Sequence, residues 1–203
     1  GKRWALALGL ALAMSAGAAV PAQPSVVKAQ YRITKAGITI GNVEETFTRE
    51  GERYRIVSET RTAGPLKVFL KDRLTVTSEG RVGAGGLMPQ RYEFRRDRDA
   101  HKNVFADFDW AAGRIVSRHG DVTESFSLPV GTLDRVSAMY QFMFSAPSSE
   151  TVVAWMSQGK KAEKYTYRKA GEPALTVAGR DYATVRYRRD AAAGESKAEL
   201  WLA

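Results

Sequence analysis

From Val27 to Leu202 the chain keeps returning to an alternation of apolar and polar residues. Successive side chains of a strand point to opposite faces, so each such stretch can bury one side and wet the other. Val27, Ala29, Tyr31 and Ile33 share one parity, and Lys28, Gln30, Arg32 and Thr34 the other. Val104, Ala106, Phe108 and Trp110 alternate with Phe105, Asp107 and Asp109, and the pattern recurs as Ala183, Val185 and Tyr187 and finally as Ala198, Leu200 and Leu202. Ile38 and Ile40 fall out of phase with Val43, Glu45 and Phe47, so a one-residue slip at Gly41-Asn42 is expected, as in a β-bulge. Turn signals at Gly80, Gly83 to Gly86, Gly113, Gly120, Gly159 and Gly179 separate the runs. Short strands joined by frequent turns predict a mainly β fold, a curved antiparallel meander of roughly eleven to thirteen strands. A sheet of that size curls into an open or half-barrel form instead of staying flat.

One segment has a different period. In Thr132–Ser145, Val136, Met139, Tyr140 and Met143 recur at helical spacing, Thr132 can cap the start, and Pro147 stops the run. A single amphipathic helix packed on the sheet is expected here. Trp110, Met139, Tyr140 and Met143 are the candidate ligand-binding residues, because apolar aromatics and adaptable Met side chains suit an apolar ligand. The competing reading of all four is plain core packing.

Composition removes many functions. With no Cys there is no disulfide, thiolate metal site or Cys nucleophile, and His101 and His119 cannot make a three-His site. No metal or cofactor is expected. No nucleophile elbow, phosphate loop or dinucleotide fingerprint is present. The best catalytic pair is Asp107 and Asp109, which a strand places on one face as a conceivable acid and base for glycan chemistry. Its alternative is a solvated acidic pair balanced by nearby arginines. No catalytic residue is assigned, and the favoured expectation is a non-enzymatic protein.

Residues 1–22 carry Lys2 and Arg3, an uncharged Ala/Leu-rich stretch from Trp4 to Val20, and small residues suited to cleavage after Ala18 or Ala22. This is the pattern of a secretory signal peptide. The expected organisation is a signal peptide over 1–22 and one β-rich exported domain over 23–203, periplasmic or otherwise exported, with no membrane span once the signal is removed. The chain carries 31 Lys and Arg against 22 Asp and Glu, a net charge of +9. An exported basic protein meets anionic envelope surfaces more readily than nucleic acid, and no nucleic-acid partner is expected.

Several motifs stand in order along the chain. They are Gly86-Leu87-Met88-Pro89-Gln90-Arg91-Tyr92, then Phe108-Asp109-Trp110, then Leu128-Pro129-Val130-Gly131-Thr132-Leu133-Asp134-Arg135-Val136-Ser137, then Trp201-Leu202. As a set they resemble the bacterial exported-protein family known only as domain of unknown function 3108. The resemblance implies a signal peptide and a β-rich domain and supplies no catalytic residues. Relatives continue a few residues past the position of Ala203, so the resemblance also implies that the final strand or its partner is missing.

The functional expectation is an envelope protein that binds a lipid or other apolar ligand in a curved sheet. A protein-interaction module is the alternative, and a glycan-active enzyme the third reading. Residues Ala198, Leu200 and Leu202 are expected to form a last strand beside Tyr182–Arg189, with the turn near Gly194. Its free edge invites weak homodimerisation by strand addition.

Overall fold

The computed structural model describes residues 25–68, 72–190 and 198–203. The segment read as a signal peptide and the turn near Gly194 lie outside the described residues. Among the described residues there are fifteen strands, more than expected from the sequence. They are β1 (Val26–Lys35), β2 (Ile38–Glu50), β3 (Arg53–Thr62), β4 (Arg73–Gly83), β5 (Gly86–Arg96), β6 (Val104–Asp109), β7 (Arg114–His119) and β8 (Val122–Ser127), followed by β9 (Leu133–Asp134), β10 (Thr151–Ser157), β11 (Ala162–Lys169), β12 (Ala174–Val177), β13 (Arg180–Ala183), β14 (Val185–Arg189) and β15 (Glu199–Leu202).

Strands β1 to β8 form one curled antiparallel sheet in strict chain order, the predicted half-barrel meander. A second sheet has the order β15-β14-β11-β10-β9, and β12 and β13 make a separate hairpin. The expected Ala183-Val185-Tyr187 strand is broken at Thr184, whose buried hydroxyl donates to the Pro173 carbonyl oxygen at 2.6 Å. The expected slip in β2 occurs beside Gly41: Ile33 faces Gly41 and Thr34 faces Thr39, which leaves Ile40 as the extra residue.

The inner face of the large sheet carries the core. Phe47, Ile56, Tyr92 and Ile115 are each at most 1% exposed. Removing such a side chain from water contributes about 1.5–3 kcal/mol. The row Ala106, Phe108 and Trp110 points inward as the alternation predicts. On the opposite face, arginines and acids pair across neighbouring strands, as in Arg55 with Glu79, Arg73 with Glu59, and Arg118 with Asp107. Exposed pairs of this kind contribute little to stability.

Two glycines allow close approach, one within the large sheet and one between the sheets. Gly80 lies opposite Pro89 at a bulge, and a Cβ there would come within 2.2 Å of the Met88 carbonyl oxygen and 2.9 Å of the Tyr54 ring. Gly159, with φ of 84°, is in the turn between β10 and β11, where a Cβ would meet Val104 at 2.8 Å and Tyr92 at 2.9 Å. That turn docks the second sheet on the first.

The helix is shorter than expected. Only Ser137–Tyr140 (α1) is α-helical, and Gln141–Met143 continues it as a 3-10 turn. Thr132 is not its cap; its hydroxyl donates to the Pro129 carbonyl oxygen at 2.7 Å. Leu133 and Asp134 instead pair in parallel with Met156 and Ser157 of β10. A long-range strand pairing has claimed the residues that local periodicity assigned to the first helical turn.

Candidate functional site

The segment from Leu133 to Phe144 lies between the two sheets, and its alternate faces serve different surroundings. Tyr140 is buried against the large sheet, with its ring stacked on Phe47 at 5.2 Å between centroids. Met143 and Phe144 are partly buried against the same core. Met139 is 59% exposed on the other side, contrary to the helical stripe, which put it in the core with Tyr140.

Met139 lines a groove of about 420 Å³. Leu133 and Phe142 join it from the helical segment, and Val152, Met156 and Leu200 from the second sheet. Among the described residues, no Asp, Glu, Lys or Arg lines this groove, in a chain that is 26% charged. Its polar lining comes from Gln141 and from the hydroxyl residues Ser145, Ser148, Ser149 and Thr151. Drug-sized ligands occupy clefts of about this size with apolar walls and a few polar groups.

The four expected ligand-binding residues are therefore not one site. Met139 faces the groove, and Tyr140 and Met143 pack toward the large sheet. Trp110 is at the end of β6, where its indole N–H donates to the Pro89 carbonyl oxygen at 2.6 Å. That bond ties together two of the sequence motifs.

The helical segment is anchored at both ends by residues of those motifs. Gln141 Oε1 accepts from the Leu87 backbone N–H at 2.8 Å, and its Nε2 donates to the Gly85 carbonyl oxygen at 2.8 Å. Gly86 has φ of 104°, and a Cβ on it would fall 2.3 Å from the Gln141 amide. At the other end, Asp134 is fully buried and Oδ1 accepts from the backbone N–H groups of Val136 and Ser137 at 3.0 and 2.9 Å. Its Oδ2 accepts from the Ser78 hydroxyl, which in turn accepts from Tyr54 at 3.0 Å. Burial pushes the Asp134 carboxyl above the usual carboxylate range, and these donors only partly oppose the shift. The arrangement holds the chain at the start of α1 and locks it to β4.

A second polar cluster lies nearer the β1 edge. Glu45 is buried on the inner face of β2, directly opposite buried Ser58 of β3. Tyr31 donates its hydroxyl to Glu45 Oε2 at 2.9 Å. Burial, and then the Glu45 charge, push the Tyr31 phenol up to about 12. The Tyr140 hydroxyl is shut off from solvent and turned toward the same carboxylate, but it closes no hydrogen bond of normal geometry. The alternation puts Glu45 in the inward register with Val43 and Phe47, a charge at a core position, but it cannot show that Tyr31, Ser58 and Tyr140 gather around it.

Asp107 and Asp109 share the outer face of β6. Asp107 is held by Arg118 at 2.8 Å and Arg91 at 3.8 Å. Asp109 pairs with Arg114 at 3.5 Å and accepts from the Ala112 backbone N–H at 3.0 Å. These contacts match the ion-paired alternative to catalysis, with the arginines coming from the flanking strands β5 and β7. The described residues contain no cluster of three or more His, Asp or Glu able to hold a metal, and no helix long and apolar enough to cross a membrane.

The curated proteins contain no match to this chain, and neither do the solved structures. Residues 30–203 match the family described as Protein of unknown function (DUF3108). The motifs that carry that resemblance are the ones that fasten α1, the β4–β5 hairpin and Trp110 to one another, and the chain belongs to the DUF3108 family.

Proposed function

We propose that this is an exported, non-enzymatic protein of the bacterial envelope that holds an apolar ligand, a lipid acyl chain, in the groove beneath Met139. The observation that carries the reading is that no charged side chain among the described residues lines a groove of about 420 Å³. An aliphatic chain loses nothing by leaving water there, and Met139 and Met156 adapt to its shape. Export rests on the signal-like pattern of residues 1–22. The ligand site differs from the sequence expectation in one respect: the inner face of the curved sheet is filled by Phe47, Tyr54, Tyr92 and Tyr140, so the ligand belongs outside it.

Titration with a fluorescent single-chain lipid tests the reading. Ala154 lines the groove, so Ala154→Trp fills it and should weaken binding at least about tenfold, equivalent to about 1.4 kcal/mol. Equal affinity in wild type and variant would refute the site.

A second reading rests on the edge strand β15. It pairs only with β14 among the described residues and carries Trp201, 40% exposed. Strand addition there supports weak self-association.

A further inference from the structure

The cluster around Glu45 is independent of the groove and raises a different question. A buried carboxylate is normally paired with a cation or saturated with donors, because an uncompensated buried charge is costly. Glu45 is 6% exposed, has no ion-pair partner among the described residues, and receives a single well-formed hydrogen bond, from Tyr31. Arg135 lies near enough to act on Tyr31 but is exposed and forms no ion pair with Glu45. Beside the carboxylate, the Tyr140 hydroxyl is enclosed on a residue 6% exposed and turned toward Glu45 without closing a hydrogen bond of normal geometry. Ser58 adds a third hydroxyl directly across from Glu45. Every polar atom offered is an oxygen, and one of the groups is anionic.

We propose that Glu45, with the hydroxyls of Tyr31, Tyr140 and Ser58, forms a binding site for a hard metal cation of the calcium type. Hard cations take carboxylate and neutral oxygen ligands and complete their shell with water, whereas soft metals prefer nitrogen and sulfur, which this cluster lacks. A bound cation neutralises Glu45 and takes the Tyr140 oxygen as a ligand, which accounts for both features together. Tyr31 is 47% exposed on the edge strand β1, so the cluster has a side open to solvent. One carboxylate makes a weak site, suited to the millimolar calcium of an exported protein's surroundings.

Terbium luminescence on the full chain provides the test, because a phenol beside bound terbium sensitises its emission. Excitation of tyrosine should produce terbium emission that calcium displaces. Glu45→Gln keeps an acceptor for Tyr31 and should weaken terbium binding at least about tenfold, or about 1.4 kcal/mol. Tyr140→Phe removes only the hydroxyl and should weaken it severalfold with near-ultraviolet circular dichroism unchanged. No sensitised emission from the wild type, or emission equal in the wild type and either folded variant, would overturn the site. Neither result bears on lipid binding in the Met139 groove.

Discussion

Met139 and Tyr140 are adjacent in the chain and serve opposite sides of the same short helix. Tyr140 stacks on Phe47 in the core of the large sheet, and Met139 lies 59% exposed in a groove facing the second sheet. The groove therefore exists because α1 is wedged between two sheets and is too short to bury its whole circumference.

This division predicts unequal costs of truncation. Tyr140→Ala should destabilise the fold by about 3–5 kcal/mol, through the lost ring and the cavity left behind. Met139→Ala should stay within about 0.5 kcal/mol, as exposed substitutions do. Urea denaturation of the two variants measures the difference, and similar midpoints would contradict the placement of the helix.

Alanine at Gly80 and at Gly159 should each be destabilising. At Gly80 the new methyl meets the Met88 carbonyl oxygen, which cannot move without breaking the bulge. At Gly159 a positive φ adds strain to the clash with Val104. A cost of about 1–3 kcal/mol is expected at each position. The measurement is thermal unfolding, and a wild-type Tm for Gly159→Ala would mean that the β10–β11 turn does not dock on the large sheet.

Asp134 predicts a pH dependence with a definite sign. Its folded-state pKa is raised above that of a free carboxyl because burial disfavours the charge. A group of that kind contributes stability that is fully present below its unfolded pKa and is lost as pH rises through the folded value. Asp134→Asn, which can still accept from Val136 and Ser137, should remove that loss. Subtracting the variant's stability-versus-pH curve from that of the wild type should leave a fall beginning near pH 4. A flat difference, or one that rises with pH, would show that the backbone donors outweigh burial.

The β15 edge predicts concentration-dependent association. Sedimentation velocity over a concentration series should show a weak dimer, lost when Trp201→Pro removes an N–H that faces the free edge and not β14. A monomer at every concentration would remove the strand-addition reading.

Much of this fold is legible in local sequence. The row from Val104 to Trp110 and the final strand at Glu199–Leu202 announce themselves because a strand's faces are fixed by a period of two. The region from Thr132 to Ser145 is legible only in part. Its helical spacing is real, but the pairing of Leu133 with Met156 and the contact of Asp134 with Ser78 join residues far apart in sequence. No local pattern encodes those choices, and they decide which side Met139 faces. The partners of Asp107 are hidden for the same reason, since Arg91 and Arg118 arrive from neighbouring strands. Glu45 stands in an apolar register, and only the three-dimensional structure shows the hydroxyls gathered around it.

The central claim is that the groove beneath Met139 holds an acyl chain, and native mass spectrometry of protein recovered from an envelope fraction tests it most directly. The predicted result is a lipid adduct on the wild-type chain that is lost from Ala154→Trp prepared in the same way. A wild-type protein repeatedly recovered without lipid, or an adduct retained equally by the filled-groove variant, would contradict it.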